Sequence, residues 1–196
     1  YYTIGFGYDN EKLERTNISV KPEHKSQFLY FQYDWNTNDK FNLVSGIRYD
    51  NHNKYSSQLS PKVSFKYDFS EDLNLKGSFG YGYKTPDFRQ LYLNFSNSTS
   101  GYIVLGASVI DEVITELQNN NELMFYNELF TTDLTAENSN SYNLGLQYYL
   151  IPDIPLEINL FRNNIYNLIE TNIVGRKNNG QTIYSYSNVN KAFTKG

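Results

Sequence analysis

The sequence has no cysteine, one methionine (Met124), one tryptophan (Trp35) and two histidines (His24 and His52). Without thiols there is no disulfide framework, no thiolate metal site and no cysteine nucleophile. Both histidines fall in polar connecting stretches and read as solvated surface groups. Also missing are a Gly-x-Ser-x-Gly elbow, a phosphate-cradling glycine–lysine loop and a His-Glu-x-x-His pair, so no catalytic residue, metal site or resident cofactor is expected. The neighbouring carboxylates Asp111 and Glu112 fit a helix start, where the dipole favours negative charge, better than an acid–base pair. No apolar run approaches the ~18 residues of a transmembrane helix. The formal net charge is −4, from 17 basic and 21 acidic side chains. It offers no basic patch for nucleic acid.

What the sequence does have is tyrosine (19) and phenylalanine (13), a load that favours strands over helices. The stretch from Asp72 to Tyr92 shows how they are used. Leu73, Leu75, Phe79, Tyr81 and Tyr83 fall on one side with Gly77, whereas Asn74, Lys76, Ser78, Gly80 and Gly82 fall on the other. A period of two is a strand with one apolar face, and Pro86, which cannot donate to a ladder, ends it. About eleven such residues suffice for a tilted strand to cross a bilayer. A mean hydropathy of −0.60 is compatible with this, because alternating strands average out.

The same alternation recurs along the chain. Tyr2, Ile4, Phe6 and Tyr8 form a first apolar face, followed by a loop from Asn10 to about Lys25. Leu29, Phe31, Tyr33 and Trp35 alternate with Phe28, Tyr30, Gln32 and Asp34, so that aromatics occupy both faces. A turn over Asn36–Asp39 leads to Phe41, Leu43, Ile47 and Tyr49. After Asn51–Ser57, Val63, Phe65, Tyr67 and Phe69 continue to a turn at Ser70–Glu71. Lys84 to Asn138, about 55 residues, is too long for a hairpin loop. Within it, Val109, Ile110, Val113, Ile114 and Leu117 predict one short amphipathic helix over about 108–118, with Ser108 as N-cap. Tyr142, Leu144, Leu146, Tyr148 and Leu150 resume the pattern, and a turn at Ile151–Asp153 leads to Ile154, Leu156, Ile158 and Leu160. Asn163 to about Gly180 is expected to begin as strand and become loop, before a last strand over Gln181–Val189. Short and long connections alternate, which places every long one on the same rim, as in outer-membrane barrels. No signal-peptide pattern opens the chain. Tyr1–Ile4 read as mid-strand and Phe193–Gly196 as the start of another strand, so a segment of a longer protein is expected.

Three stretches carry a family resemblance. Gly80-Tyr81-Gly82-Tyr83-Lys84-Thr85-Pro86, with Leu91-Tyr92 after a short spacer, resembles the strand-to-loop signature of TonB-dependent outer-membrane receptors. Upstream, Gly46–Asp50 and Leu59–Val63 resemble that family's paired strands around a short outer loop. Downstream, Leu134-Thr135-Ala136-Glu137 resembles its leucine-lysine-proline-glutamate box, with Thr135 and Ala136 departing from lysine and proline. The resemblance implies an all-β fold, a transmembrane antiparallel up-and-down β-barrel. Residues 1–196 would supply about eight of roughly twenty-two strands, with the plug domain and remaining strands absent and one short helix in a long extracellular loop. It implies a Gram-negative outer-membrane receptor that imports a scarce large ligand, foremost a ferric siderophore or similar metal chelate. Energy would come from the inner-membrane TonB complex through the plug. Cobalamin and haem rank lower. Haem importers of the family use a histidine between the two boxes, and Lys84–Glu137 has none. A plug would also give Arg48, Asp50, Lys62, Lys66, Asp68 and Lys76 partners inside the barrel, since buried charge demands them.

Within the long connection, Arg89, Tyr92, Tyr102 and Tyr126 offer a cation and aromatic donors suited to an anionic, ring-rich chelate. They are the candidate ligand-binding residues. The competing reading is that Phe88, Leu91 and Tyr92 merely fold the loop onto the barrel mouth. Two other functional classes stay open at this point. A soluble β-sandwich carbohydrate-binding or adhesin module would use exposed tyrosines to stack on sugars. An eight-stranded outer-membrane acyl-transfer enzyme would need a serine–histidine pair on one rim.

Overall fold

The computed structural model describes residues 1–14, 21–151 and 154–196. Among these, eleven strands form one sheet. The long strands are β1 (Tyr2–Lys12), β2 (Glu23–Asn38), β3 (Phe41–His52), β4 (Gln58–Asp68) and β5 (Leu73–Lys84), then β9 (Glu137–Ile151), β10 (Ile154–Lys177) and β11 (Thr182–Lys195). Between β5 and β9 lie the helix α1 (Phe88–Tyr92), β6 (Asn94–Asn97), β7 (Tyr102–Leu105), the helix α2 (Ile110–Asn119) and β8 (Leu123–Tyr126). The long strands pair antiparallel in the order β1-β2-β3-β4-β5-β9-β10-β11.

The register settles which residues share a face. Phe65, Gly77, Leu144 and Leu160 lie in one hydrogen-bonded row, and Ser64, Ser78 and Asn143 in the next. Directly opposed residues point to the same side, so the apolar residues of successive strands build one continuous face and the polar residues the other. That apolar face is the exposed one. Ile4, Phe6, Leu29, Phe31, Ile47, Leu144, Leu156 and Leu160 all stand open, and no second sheet covers them among the described residues. A β-sandwich buries this face; a barrel wall gives it to lipid. Aromatics gather at its two margins. Trp35, Phe41, Tyr67, Phe69 and Tyr148 lie toward the short turns, and Tyr8, Tyr49, Tyr83 and Tyr142 toward the long connections. Phe41–Tyr67 and Tyr67–Phe69 ring centroids lie 6.4 and 4.9 Å apart.

The apolar band does not follow the rows. Tyr2, Tyr33, Ser45, Val63, Phe79, Tyr142, Arg162 and Lys195 form a single row. It begins inside the band and ends above it. The band's upper edge slips along the strands, from Tyr8 on β1 through Tyr83 on β5 to Leu160 on β10. Such slip is the shear of a barrel whose strands tilt.

The buried core lies elsewhere, in the 84–137 connection. Ile103, Leu105, Ile110, Ile114 and Leu117 pack against Val174 and Ile183 of the β10–β11 hairpin. Leu91, Tyr92, Ala107 and Leu134 pack against Ile169. Here β8 adds to β10 at Gly175–Lys177, and β7 runs parallel to β11 over Thr182–Ser185. The long connection is thus a folded layer, docked on a hairpin that rises above the membrane band.

Several expectations are corrected. Two helices are present among the described residues, not one. The α2 cap is Val109 rather than Ser108, with no side-chain hydrogen bond. Instead the Gly106 carbonyl accepts from the Val109 and Ile110 amides at 3.1 and 3.2 Å. A Cβ on Gly106 would lie 2.4 Å from the Leu91 carbonyl, so only glycine fits that approach. The β2–β3 turn falls at Asp39–Lys40, two residues later than expected, because β2 runs to Asn38. Most of Asn163–Gly180 is strand, with a register shift at Ile173/Gly175, and the connection to β11 is tight. The parallel β7–β11 pair departs from antiparallel pairing throughout. The expected Asn10–Lys25 loop is shorter, since β1 runs to Lys12 and β2 starts at Glu23; its residues 15–20, and residues 152–153 of the expected Ile151–Asp153 turn, lie outside the described residues.

Candidate functional site

Above the apolar band the polar face carries a built cluster. His24 of β2 and His52 of β3 both point inward, because they keep the parity of Phe28 and Arg48 on the same strands. Their ring centroids lie 5.0 Å apart at 78°. Phe88 of α1 packs over His24 with ring centroids 4.4 Å apart and planes tilted by 39°, and Tyr55 lies 5.0 Å from His52. His24 is only 4% exposed and its Nε2 finds no partner among the described residues. Burial, then His52 and Lys54, hold its pKa down at about 4. His52 is also lowered, chiefly by burial, and its Nδ1 accepts the Lys54 amide at 3.0 Å. Tyr55 is pushed up to about 12 by burial and by Tyr92 and Tyr83. These groups are neutral near pH 7, and the expectation of solvated histidines is overturned. Strand parity continued past the apolar stretch would have signalled it; the ring of Phe88 above them comes only from the fold of α1. Beside this cluster lies a cavity of about 260 Å³, lined by Glu11, Asp50, Tyr83 and Lys84 among others.

Lower on the same face most of the charges expected to need partners find them within the wall among the described residues, Lys62 excepted. Arg48 donates to Asp50 from Nε at 2.9 Å to both carboxylate oxygens and stacks over Phe28 at 3.8 Å. Lys66 pairs with Asp68 at 2.8 Å, and Lys76 donates to Gln147 at 2.9 Å. Phe28 and Tyr30 explain the aromatics on both sides of β2. They lie flat over Gly7 and Gly5, where any Cβ would strike their rings.

The four candidate ligand residues do not converge. Arg89 projects from α1 with its side chain 71% exposed and a loose contact to Asp87 at 3.9 Å. Tyr92 is buried among Leu91, Leu134 and Ile169. Tyr102 sits half-buried between Phe95 and Tyr184, with centroids at 6.2 and 6.3 Å. Tyr126 flanks the α2 core, where burial and then Asp111 raise its pKa. Asp87 and Gln90 cap α1 reciprocally, at 2.7 and 3.0 Å, which fixes where Arg89 emerges. No group of three or more metal-ligating side chains occurs among the described residues.

The profile of the TonB dependent receptor-like β-barrel family matches residues 1–196. The ferrienterobactin receptor of Escherichia coli is 25% identical over 173 residues, 86% of this chain and 21% of its own length. The probable TonB-dependent siderophore receptor PirA of Acinetobacter baumannii is 28% identical over 144 residues, 74% and 17%. The crystal structure of the siderophore receptor PirA from Pseudomonas aeruginosa superposes with a TM-score of 0.75 at 20% identity, over 100% of this chain and 34% of that one. The chain therefore spans about a fifth of the length of the curated relatives it matches. With lipid-facing alternation on eight tilted strands and this match along its whole length, the chain belongs to the TonB-dependent receptors of the Gram-negative outer membrane and forms part of their β-barrel.

Proposed function

We propose that the protein takes up a ferric siderophore, powered by the inner-membrane TonB complex through a plug domain. The observation that supports this is that two curated relatives matched over this stretch are both siderophore receptors, and that the stretch includes the docked 84–137 layer at the mouth. Arg89 is the residue offered to the anionic chelate. A guanidinium that is 71% exposed and only loosely held by Asp87 at 3.9 Å is free to turn to carboxylate or catecholate oxygens. Tyr102 and Tyr126 border the same layer, and Tyr92 supports it from beneath.

The test is uptake of iron-55 by cells carrying the full-length receptor as their sole outer-membrane iron transporter. Catecholate, hydroxamate and haem iron are offered in parallel. Uptake of a siderophore complex that is lost with Arg89→Ala, while surface receptor levels hold, supports the proposal. Uptake of haem iron alone, or of none of the three, overturns it.

A further inference from the structure

The His24–His52 cluster is also the seat of α1. Phe88, the first residue of that helix, packs over His24, lies 6.1 Å from Tyr92 and joins the apolar cluster of Leu91, Tyr92 and Ala107. The helix is tied in turn, by its backbone, to the segment that leads into α2. The carbonyls of Gln90, Leu91 and Leu93 accept from the amides of Ala107, Ser108 and Gly106 at 2.9, 2.8 and 2.6 Å. Contact therefore runs without a break from the inner face of β2, through α1, to the start of α2.

The seat suits only a neutral imidazole. His24 is buried among the rings of Phe88, His52 and Tyr55. His52 offers it no acceptor. Its Nδ1 already takes the Lys54 amide, which in the neutral ring leaves the proton on Nε2. An imidazolium at His24 would bring a donor that neither neighbouring ring nitrogen can meet, and a buried charge without partners is costly. The charged groups around it divide. Glu11 stands opposite His24 on β1 and Asp9 opposite Ser26, and both favour a cation, whereas Asp50 of β3 is held by Arg48. Against them stand Lys54, just past β3, and Lys84 of β5; Tyr55 and Tyr83 are neutral, with pKa values raised by burial. On α1, Asp87 is occupied by the Gln90 amide and Arg89 is exposed. Burial, then His52 and Lys54, prevail.

We propose that Phe88 on His24 is an acid-released latch at the barrel mouth: protonation of His24 expels the phenyl ring, and α1 leaves the inner face together with the 106–108 segment bonded to it. A charge change at one side chain thereby acts on an element with two positions. The core of Leu105, Ile110 and Ile114 stays docked, since it rests on Val174 and Ile183 of the β10–β11 hairpin. The latch is independent of what the receptor transports, and its test needs no ligand.

Hydrogen exchange on the full-length receptor in nanodiscs, at pH 7 and pH 4.5 with the intrinsic acid slowing divided out, reads the latch at the amides of Gly106, Ala107 and Ser108. A histidine held at about 4 in the seat and at about 6.5 once free raises opening by about fiftyfold over that interval, and protection should fall by as much. β5 from Leu73 to Gly82 should keep its protection. H24F, which takes up no proton, should hold the 106–108 amides protected at both pH values. F88A, which leaves no ring on the seat, should have lost that protection at pH 7 already. The proposal is overturned if the parent stays protected at pH 4.5, if H24F loses protection as the parent does, or if F88A matches the parent at pH 7. A loss that extends equally into β5 is general acid unfolding and overturns it as well.

Discussion

Lys84, the last residue of β5, faces Glu137, the first of β9, and their side chains meet at 3.1 Å. The same Glu137 carboxylate accepts the Ile169 amide of β10 at 3.1 Å. It therefore ties three strands together where the chain leaves the barrel wall for the long connection and returns. Lys84 and Glu137 belong to the two motif boxes of the sequence. Other motif residues meet here as well: Pro86 is buried, and Leu91, Tyr92 and Leu134 share one apolar cluster. The signature is thus a closure, in which the boxes flanking the connection are packed onto each other.

Because Glu137 satisfies a backbone amide, Glu137→Ala should cost more than Lys84→Ala. The alanine leaves the half-buried Ile169 amide without its acceptor, worth about 1–3 kcal/mol. Lys84 is 53% exposed, and a solvent-screened pair contributes about 0–1 kcal/mol. Glu137→Gln keeps an acceptor oxygen and should fall between them. Unfolding of the full-length receptor in detergent, followed by loss of electrophoretic heat-modifiability, ranks the three. Equal costs for Lys84→Ala and Glu137→Ala would mean that the amide contact carries nothing.

The two sheet faces should respond differently to charge. Phe65 faces lipid near the middle of the β4 apolar stretch, and arginine there should cost about 2–4 kcal/mol. Ser64, its neighbour on the luminal face, should accept arginine at a fraction of that. Denaturant titration in lipid vesicles measures both, and parity between them would contradict the assignment of faces.

Which faces are apolar was legible in the sequence, since alternation at Leu73–Tyr83 or Tyr142–Leu150 is long enough to fix a register. The docked layer was not. Strands as short as Asn94–Asn97, Tyr102–Leu105 and Leu123–Tyr126 show too little alternation to stand out, and the parallel β7–β11 pair arises only when the chain folds back. The upper part of β10 is polar and reads as loop, yet it is strand because β8 and β11 flank it. Of the candidate site, the chemistry of Arg89 is legible in the sequence, whereas its exposure follows from the fold of α1. Tyr92 resembled a ligand residue for the same chemical reason, but it lies buried beside Leu134, a partner about forty residues away in sequence.

The histidine pair should make the rim acid-sensitive. A histidine held at about 4 in the fold against about 6.5 when unfolded binds fewer protons folded than unfolded between those values. Its neutral packing contributes fully above about pH 6.5 and is lost as pH falls toward 4. His52 shifts the same way. The groups facing them are Glu11 and Asp50, which oppose the effect, and Lys54 and Lys84, which reinforce it. The unfolding midpoint should therefore drop from pH 7 to pH 4.5, and His24→Phe, which keeps an aromatic against Phe88, should flatten that drop. An unchanged profile in the variant would assign the acid sensitivity to other groups.

The 84–137 layer should be a cooperative unit separable from the wall beneath it. Its order rests on Leu105 and Ile110, both fully buried against Val174 and Ile183 of the hairpin, and not on the membrane band. Leu105→Ala deletes buried methyl groups from a packed cluster, a loss of about 2–5 kcal/mol. That is enough to release α2, β7 and β8 from their dock. The transmembrane rows that join β1 through β5 to β9 and β10 contain none of these residues, so assembly in the membrane should continue. Limited proteolysis of intact cells should then cut within Gly101–Glu128 in the variant but not in the parent, while the amount of heat-modifiable receptor stays the same. Deleting Ser108–Asn120, which removes Ile110, Ile114 and Leu117 together, should expose the same sites and abolish siderophore uptake. If either change prevents barrel assembly, the layer is required to build the wall. If both leave protease resistance and uptake intact, the apolar cluster is not what holds it down.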